Sequence, residues 1–182
     1  STLPPLRRPT EISGVRTAPL GDIGPETDWR AAVEGVEVIV HCAARVHQMK
    51  DASAAPPGAF RAVNVAGTKS LAEAAAAAGV KRLVFVSTVK VHGEAGRLGR
   101  PFREEDSPAP ADPYAVSKWE AEEALRRLSE RTAFETVIIR PPLIYGPEPK
   151  ANMLRLLRLV AKGVPLPLGA VRNKRSMIGL EN

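Results

Sequence analysis

Residues 82–88 read Arg82-Leu83-Val84-Phe85-Val86-Ser87-Thr88, a short apolar run that ends in two hydroxyls. Its centre does not alternate apolar with polar residues, as expected of a strand buried on both faces of a parallel sheet. Two runs of the same kind flank it, VEVIVH at 36–41 and TVIIR at 136–140, and GVRTAPL at 14–20 is a weaker fourth. Helical patterns lie between them. TDWRAAVEG at 27–35 predicts a helix with Thr27 as N-cap and Gly35 as stop. An alanine-rich segment over about 58–78 ends at Gly79, and further helices are predicted over about 112–131 and 151–162, the last ending at Gly163. Strand–helix alternation at this spacing means βαβ units, hence an α/β fold with a doubly wound parallel sheet. The expected division is a core over 1–162 and the start of a second region over 163–182, where the loop text VPLPLG begins.

Of the 182 residues, 44% are hydrophobic and 25% charged, enough apolar surface for one core and an ordinary surface charge. No apolar stretch approaches the roughly 20 residues of a membrane span, and no signal peptide opens the chain. The single cysteine, Cys42, cannot form an internal disulfide, which fits a reducing cytoplasm. The net charge of +6 is spread along the chain and aromatics are only 4%, so no base-stacking surface is expected. Neither nucleic acid nor membrane is therefore expected as a partner. His41 and Cys42 read as core residues, not metal ligands, because no second ligand lies at useful spacing; no metal is expected.

The segment DPYAVSKWEAE at 112–122 places Tyr114 and Lys118 four residues apart, on one helix face. An ammonium beside a phenol favours the phenolate, each pKa unit being worth ~1.4 kcal/mol, and turns a poor base into a usable one. Ser87 and Thr88 end their strand at its carboxyl end, where open α/β sheets bind ligands. The small Ala43 and Ala44 of HCAA would let the backbone approach a flat ligand. GEAGRLG at 93–99 has a glycine every third residue, but Arg100-Pro101 follows where a phosphate-binding loop needs a helix. It reads as a surface loop.

These pieces stand in a fixed order: GDI at 21–23, HCAA at 41–44, VNVAGT at 63–68, VSTVKVHG at 86–93, YAVSK at 114–118, RPPLIYGP at 140–147 and NKRSMIG at 173–179. In that order and spacing the chain resembles the extended short-chain dehydrogenase/reductase superfamily, in its NAD-dependent nucleotide-sugar epimerase/dehydratase branch. The resemblance implies a Rossmann-like core with Tyr114 as base and Lys118 as its electrostatic partner and ribose ligand. It gives Thr88 the family's catalytic Ser/Thr position. Asp22 and Ile23 would flank the adenine, Ala43 and Ala44 would line the cofactor channel, and Asn64 would face the cofactor. Pro141 would sit near the nicotinamide, and Asn152 and Arg175 would grip a sugar-nucleotide diphosphate. An arginine suits that role because its planar fork pairs with phosphate oxygens.

Three departures from the family pattern stand out. The glycine-rich cofactor loop that should precede all these pieces is absent, so the first strand–helix–strand unit is expected to be missing, along with a C-terminal part. Val89 and Lys90 replace the Asp-Glu pair of dehydratases, so dehydration is not expected. His92 replaces a frequent tyrosine and reads as a half-exposed turn residue. The implied activity is a UDP-hexose 4-epimerase working through a 4-keto sugar with NAD, NADP being left open. A UDP-N-acetylhexosamine 4-dehydrogenase/reductase of polysaccharide biosynthesis and a non-catalytic cofactor sensor of the same fold are the alternatives. A UDP-sugar substrate and a cytoplasmic homodimer complete the expectation.

Overall fold

The computed structural model describes residues 15, 17–46, 57–96, 99–146, 151–163, 165 and 174–182, with only the backbone of 57 and 151–153. The elements in chain order are α1 (Arg30–Val33), β1 (Val38–His41) and α2 (Pro57–Arg61), which runs through a π-helical turn (Ala62–Gly67) into α3 (Thr68–Ala77). They continue as β2 (Arg82–Val86), a 3₁₀ turn (Val89–His92), α4 (Pro113–Ser129) and β3 (Glu135–Ile139). β4 (Leu143–Tyr145), α5 (Ala151–Ala161) and β5 (Met177–Gly179) complete them.

The three apolar runs form one parallel sheet in the order β1-β2-β3, with Val40 opposite Val84 and Val84 opposite Val137. β4 and β5 form a separate parallel pair. Leu83 and Phe85 of β2 are buried together with Leu71, Ala72 and Ala75 of α3 and Ala121 and Leu125 of α4. α4 begins where the sequence says it should: Asp112 accepts the Ala115 N–H at 2.8 Å as N-cap, and Pro113 opens the first turn, where its missing N–H costs nothing.

Two sequence expectations are corrected at the amino end. The described residues of 14–20 form no strand. Thr27 does not cap α1: its hydroxyl accepts the Gly24 N–H and donates to the Asp22 carbonyl, closing a turn, and Trp29 is the cap residue. A four-residue helix with no side-chain cap is what remains of the predicted 27–35.

The sheet itself departs from the two-sided burial that its composition predicts. Leu83 and Phe85 face the helices, but Val38, Val40, Val137 and Ile139 on the opposite face are 42–63% exposed. Topology explains it. Right-handed crossovers that step in one direction, β1 to β2 to β3, put both connecting helices on the same face. Among the described residues nothing winds back to cover the other face of this Rossmann-like sheet.

One close approach depends on a glycine. A Cβ on Gly67 would stand 2.7 Å from Cγ2 of Ile23, so the loop before α1 lies directly on the π turn.

Candidate functional site

The carboxyl ends of β1 and β2, the 3₁₀ turn and the first two turns of α4 converge. Ser87 and Thr88 leave β2 in opposite roles. Ser87 is buried and its hydroxyl donates to Oε1 of Glu122 at 2.5 Å. Thr88 is half-buried and caps the 3₁₀ turn, accepting the Lys90 N–H at 3.3 Å. Only Thr88 is left to meet a ligand. The turn is tied to the N-cap of α4 by an ion pair between Lys90 and Asp112, and to the segment after β3 by the Val89 N–H, which donates to the Pro141 carbonyl at 3.0 Å.

Tyr114 sits half-buried in the first turn of α4, and Lys118 one turn later is buried. The Lys118 ammonium lies 3.8 Å from the centre of the Phe85 ring, a cation–π contact beneath the strand end. No hydrogen-bond acceptor among the described residues reaches it. Burial pushes Lys118 down to about 8, against the opposing charges of Glu122 and Cys42. The Tyr114 phenol is raised above its ordinary value, first by burial and then by Asp112. The spacing of four residues predicts a phenolate favoured by its cationic neighbour; here burial and the Asp112 charge set the direction instead. The protonated phenol is thereby favoured over the phenolate.

Asn64, in the π turn, is buried and its amide is fully engaged. Oδ1 accepts the Arg45 N–H at 2.7 Å, while Nδ2 donates to the Arg45 carbonyl and to Ser117 Oγ. The resemblance has Asn64 facing a cofactor, whereas its side chain ties the loop that follows Ala43 and Ala44 to α4. π turns often mark functional positions, and this one aims Asn64. His41 is a core residue as expected: it stacks on Phe85, and its Nε2 pairs with Thr68 Oγ1 at 2.9 Å. Cys42 is not; it is exposed on the loop after β1. His92 is also corrected, being buried, stacked on Phe102 and 2.9 Å from Arg140 through Nε2.

The buried His41 carries an expected result. Burial, and then the Lys118 charge, push its pKa from 6.5 to about 4. The unfolded chain therefore takes up a proton first as pH falls, and stability present above pH 6.5 is lost between 6.5 and about 4. His41→Gln should flatten that loss by about 2–3 kcal/mol, as read from denaturant midpoints against pH. An unchanged acid limb would show that His41 is not the group responsible.

Of the other sequence candidates, Ile23 is part of the packing over Gly67, and Asp22 is exposed beside it. Arg175 is exposed just before β5, and Asn152 lies in the first turn of α5 with its side chain outside the described residues. Sequence reading missed Glu122 and its partners, although Tyr114, Lys118 and Glu122 form a continuous stripe of period four on α4. That period was the available signal.

The chain is 48% identical over 164 residues to a UDP-glucose 4-epimerase from Vibrio cholerae, covering 90% of this chain and 50% of that protein. It is 33% identical over 166 residues to an N-acetyl-alpha-D-glucosaminyl-diphospho-ditrans,octacis-undecaprenol 4-epimerase from Escherichia coli O157:H7, covering 90% of this chain and 48% of the other. Its fold superposes on the dTDP-glucose 4,6-dehydratase DesIV from Streptomyces venezuelae, solved with NAD bound, with a TM-score of 0.69. There the identity is 32% and the shares covered are 87% of this chain and 49% of that one. The chain thus spans about half the length of the curated relatives it matches. Residues 6–178 match the NAD dependent epimerase/dehydratase family, and the chain belongs to that family.

Proposed function

We propose that this chain carries the catalytic half of an NAD-dependent UDP-hexose 4-epimerase. The observation that carries the reading is the convergence of Thr88, Tyr114 and Lys118 at the carboxyl ends of the strands, in a chain 48% identical to a UDP-glucose 4-epimerase. In this reading Tyr114 takes the proton from the sugar 4-hydroxyl, and the Thr88 hydroxyl hydrogen-bonds the same oxygen and holds it in line. NAD, when bound, would supply the hydride acceptor and donor for the sugar C4, while Tyr114 and Thr88 hold the 4-oxygen.

The residues present suit such a cofactor. The buried Lys118 ammonium has donors that no described acceptor satisfies, which fits the two hydroxyls of a nicotinamide ribose. Ala43 and Ala44 add little bulk to the loop that Asn64 braces, leaving room for a flat ring. Pro141 beside the 3₁₀ turn would border the nicotinamide, and Asp22 and Ile23 the adenine. Arg175 and Asn152 are proposed to hold the diphosphate of the UDP-sugar. Val89 and Lys90 supply no acid–base pair for eliminating water, which supports epimerisation over dehydration.

We read the assembly as a cytoplasmic homodimer. The lone Cys42 supports a reducing compartment, and no described helix is long and apolar enough to cross a membrane. The test is to incubate the full-length protein with UDP-glucose, UDP-N-acetylglucosamine and their C4 epimers, following product stereochemistry by NMR and reduced nicotinamide by absorbance. Interconversion of C4 epimers without accumulation of reduced nicotinamide is expected. Stoichiometric reduced nicotinamide would replace the epimerase with a 4-dehydrogenase, and no conversion of any of the four would overturn the reading.

A further inference from the structure

A buried ionic cluster lies behind the site, and the mechanism above does not use it. Glu122 is fully buried on α4, one turn beyond Lys118. Its carboxylate accepts from Ser87 Oγ at 2.5 Å, from Arg140 Nε at 3.1 Å and an Arg140 terminal nitrogen at 2.6 Å, and from Arg126 at 2.9 Å. These partners come from three places: Ser87 from the end of β2, Arg140 from the end of β3 and Arg126 from the next turn of α4. Arg140 continues outward to His92 Nε2 at 2.9 Å and to the Glu104 carbonyl at 3.2 Å. A guanidinium can only donate, so His92 accepts through Nε2.

A buried ion pair is weak evidence for stability, because desolvating two charges offsets their attraction. What the cluster does supply is geometry. Thr88 follows Ser87 directly, and Pro141 follows Arg140 directly, so the two residues held by Glu122 are each next to a residue of the site. Lys118 and Tyr114 precede Glu122 by one and two turns on the same face.

We propose that Glu122 is a positioning residue: it pins the ends of β2 and β3 to α4 so that Thr88 faces Tyr114, and it presents the negative charge facing the Lys118 ammonium from the next helical turn. The proposal rests on the assignment of Thr88, Tyr114 and Lys118 as the reacting set.

The electrostatic half has a direction. Burial lowers the Lys118 pKa, and Glu122 is the largest influence that raises it again. Burial pushes the Glu122 carboxyl itself up, but Arg140, Ser87 and Arg126 together bring it below its ordinary value, so it stays ionised. The other titratable groups facing Lys118 are Cys42 and His41 at the end of β1 and Tyr114 on α4. Cys42 raises the Lys118 pKa less than Glu122 does, and His41 is neutral near pH 7, so Glu122 is the main group that offsets burial.

The test uses Glu122→Gln and Ser87→Ala in the full-length protein. The Lys118 ammonium is titrated by NMR of ¹³Cε-labelled lysine, its signal assigned by its loss in Lys118→Arg. Glu122→Gln should move that midpoint down by about half a pH unit or more, and shift the alkaline limb of kcat/KM the same way. Ser87→Ala leaves every charge in place, so it should leave the midpoint alone. It should lower kcat about threefold to tenfold at nearly constant KM, the usual worth of one hydrogen bond. A merely structural Glu122 would move neither the NMR midpoint nor the pH limb. A folded Glu122→Gln protein with an unmoved Lys118 midpoint overturns the electrostatic half, and unchanged kcat in Ser87→Ala overturns the positioning half. Should Glu122→Gln fail to fold, Ser87→Ala still decides the positioning half, and Glu122→Asp, which keeps a withdrawn charge, decides the other by the same midpoint. The NMR titration needs no turnover, so a failure of the epimerase reading shows only in the sugar assay.

Discussion

Tyr114→Phe in the full-length protein is expected to lower turnover by about 10²–10⁴, the usual worth of a placed acid–base group, with stability and dinucleotide affinity close to wild type. The substitution deletes one oxygen and keeps the ring in its half-buried place in the first turn of α4. Asp112 still caps the helix through the Ala115 N–H, so the turn has no reason to fray. The loss should be nearly all in kcat. Because burial and Asp112 raise the phenol above its ordinary pKa, wild-type activity should also rise with pH until Lys118 begins to lose its charge. Steady-state kinetics beside a circular-dichroism melt decide the matter: a folded Tyr114→Phe protein with near-wild-type turnover ends the proposed mechanism.

Lys118→Met should do something less usual and stabilise the protein while inactivating it. Lysine titrates near 10.5 when exposed, and burial brings Lys118 down to about 8. Between those values the unfolded chain binds the extra proton, so stability contributed by this site rises with pH across that window. Below pH 8 both states are protonated and the full cost of the buried ammonium is present. Methionine has a similar length and no charge to desolvate. At pH 7 the gain should reach about 2–3 kcal/mol, and the rise in stability between pH 8 and 10.5 should vanish. Turnover should fall about a hundredfold or more, since the phenol loses its cation. Urea midpoints across that pH range are the measurement. A less stable Lys118→Met protein would mean that the contact with the Phe85 ring outweighs desolvation.

A site that costs stability in its resting form is expected where function needs a charge in a dry place. Glu122 and Phe85 lessen that cost without removing it, which leaves the Lys118 donors free for a ligand.

How much of this was legible beforehand follows the range of the interactions involved. The placement of Tyr114 and Lys118 on one face of α4 could be read directly, because any α-helix brings residues four apart onto one face. The strands at 38–41, 82–86 and 135–139 could be read because their apolar runs have no other plausible use. The helix stops at Gly35, Gly79 and Gly163 follow from their positive φ of 69°, 79° and 65°, which other residues adopt with strain. The rejection of GEAGRLG as a phosphate loop also stands: no helix follows Gly99 before Pro113.

Other properties depend on what covers each group, and local sequence carries no record of that. Ser87 and Thr88 are equivalent on paper, and only Glu122, 35 residues away, takes one hydroxyl inward and leaves the other for the site. Asn64 belongs to a motif that points to a cofactor, but Arg45 and Ser117 claim its amide. The direction of the Tyr114 pKa reversed because burial is a property of the packed whole, and so did the placement of Cys42 and His92. The bare face of the sheet has the same origin: strand composition records that two faces are to be covered, while the handedness of the crossovers decides which face these helices cover. Local periodicity and spacing thus determined the elements and the shared helix face of Tyr114 and Lys118, because both arise within a few residues. Desolvation and pairing across 19–53 residues decided charge states, hydroxyl roles and exposure, because those energies exist only once distant segments have packed.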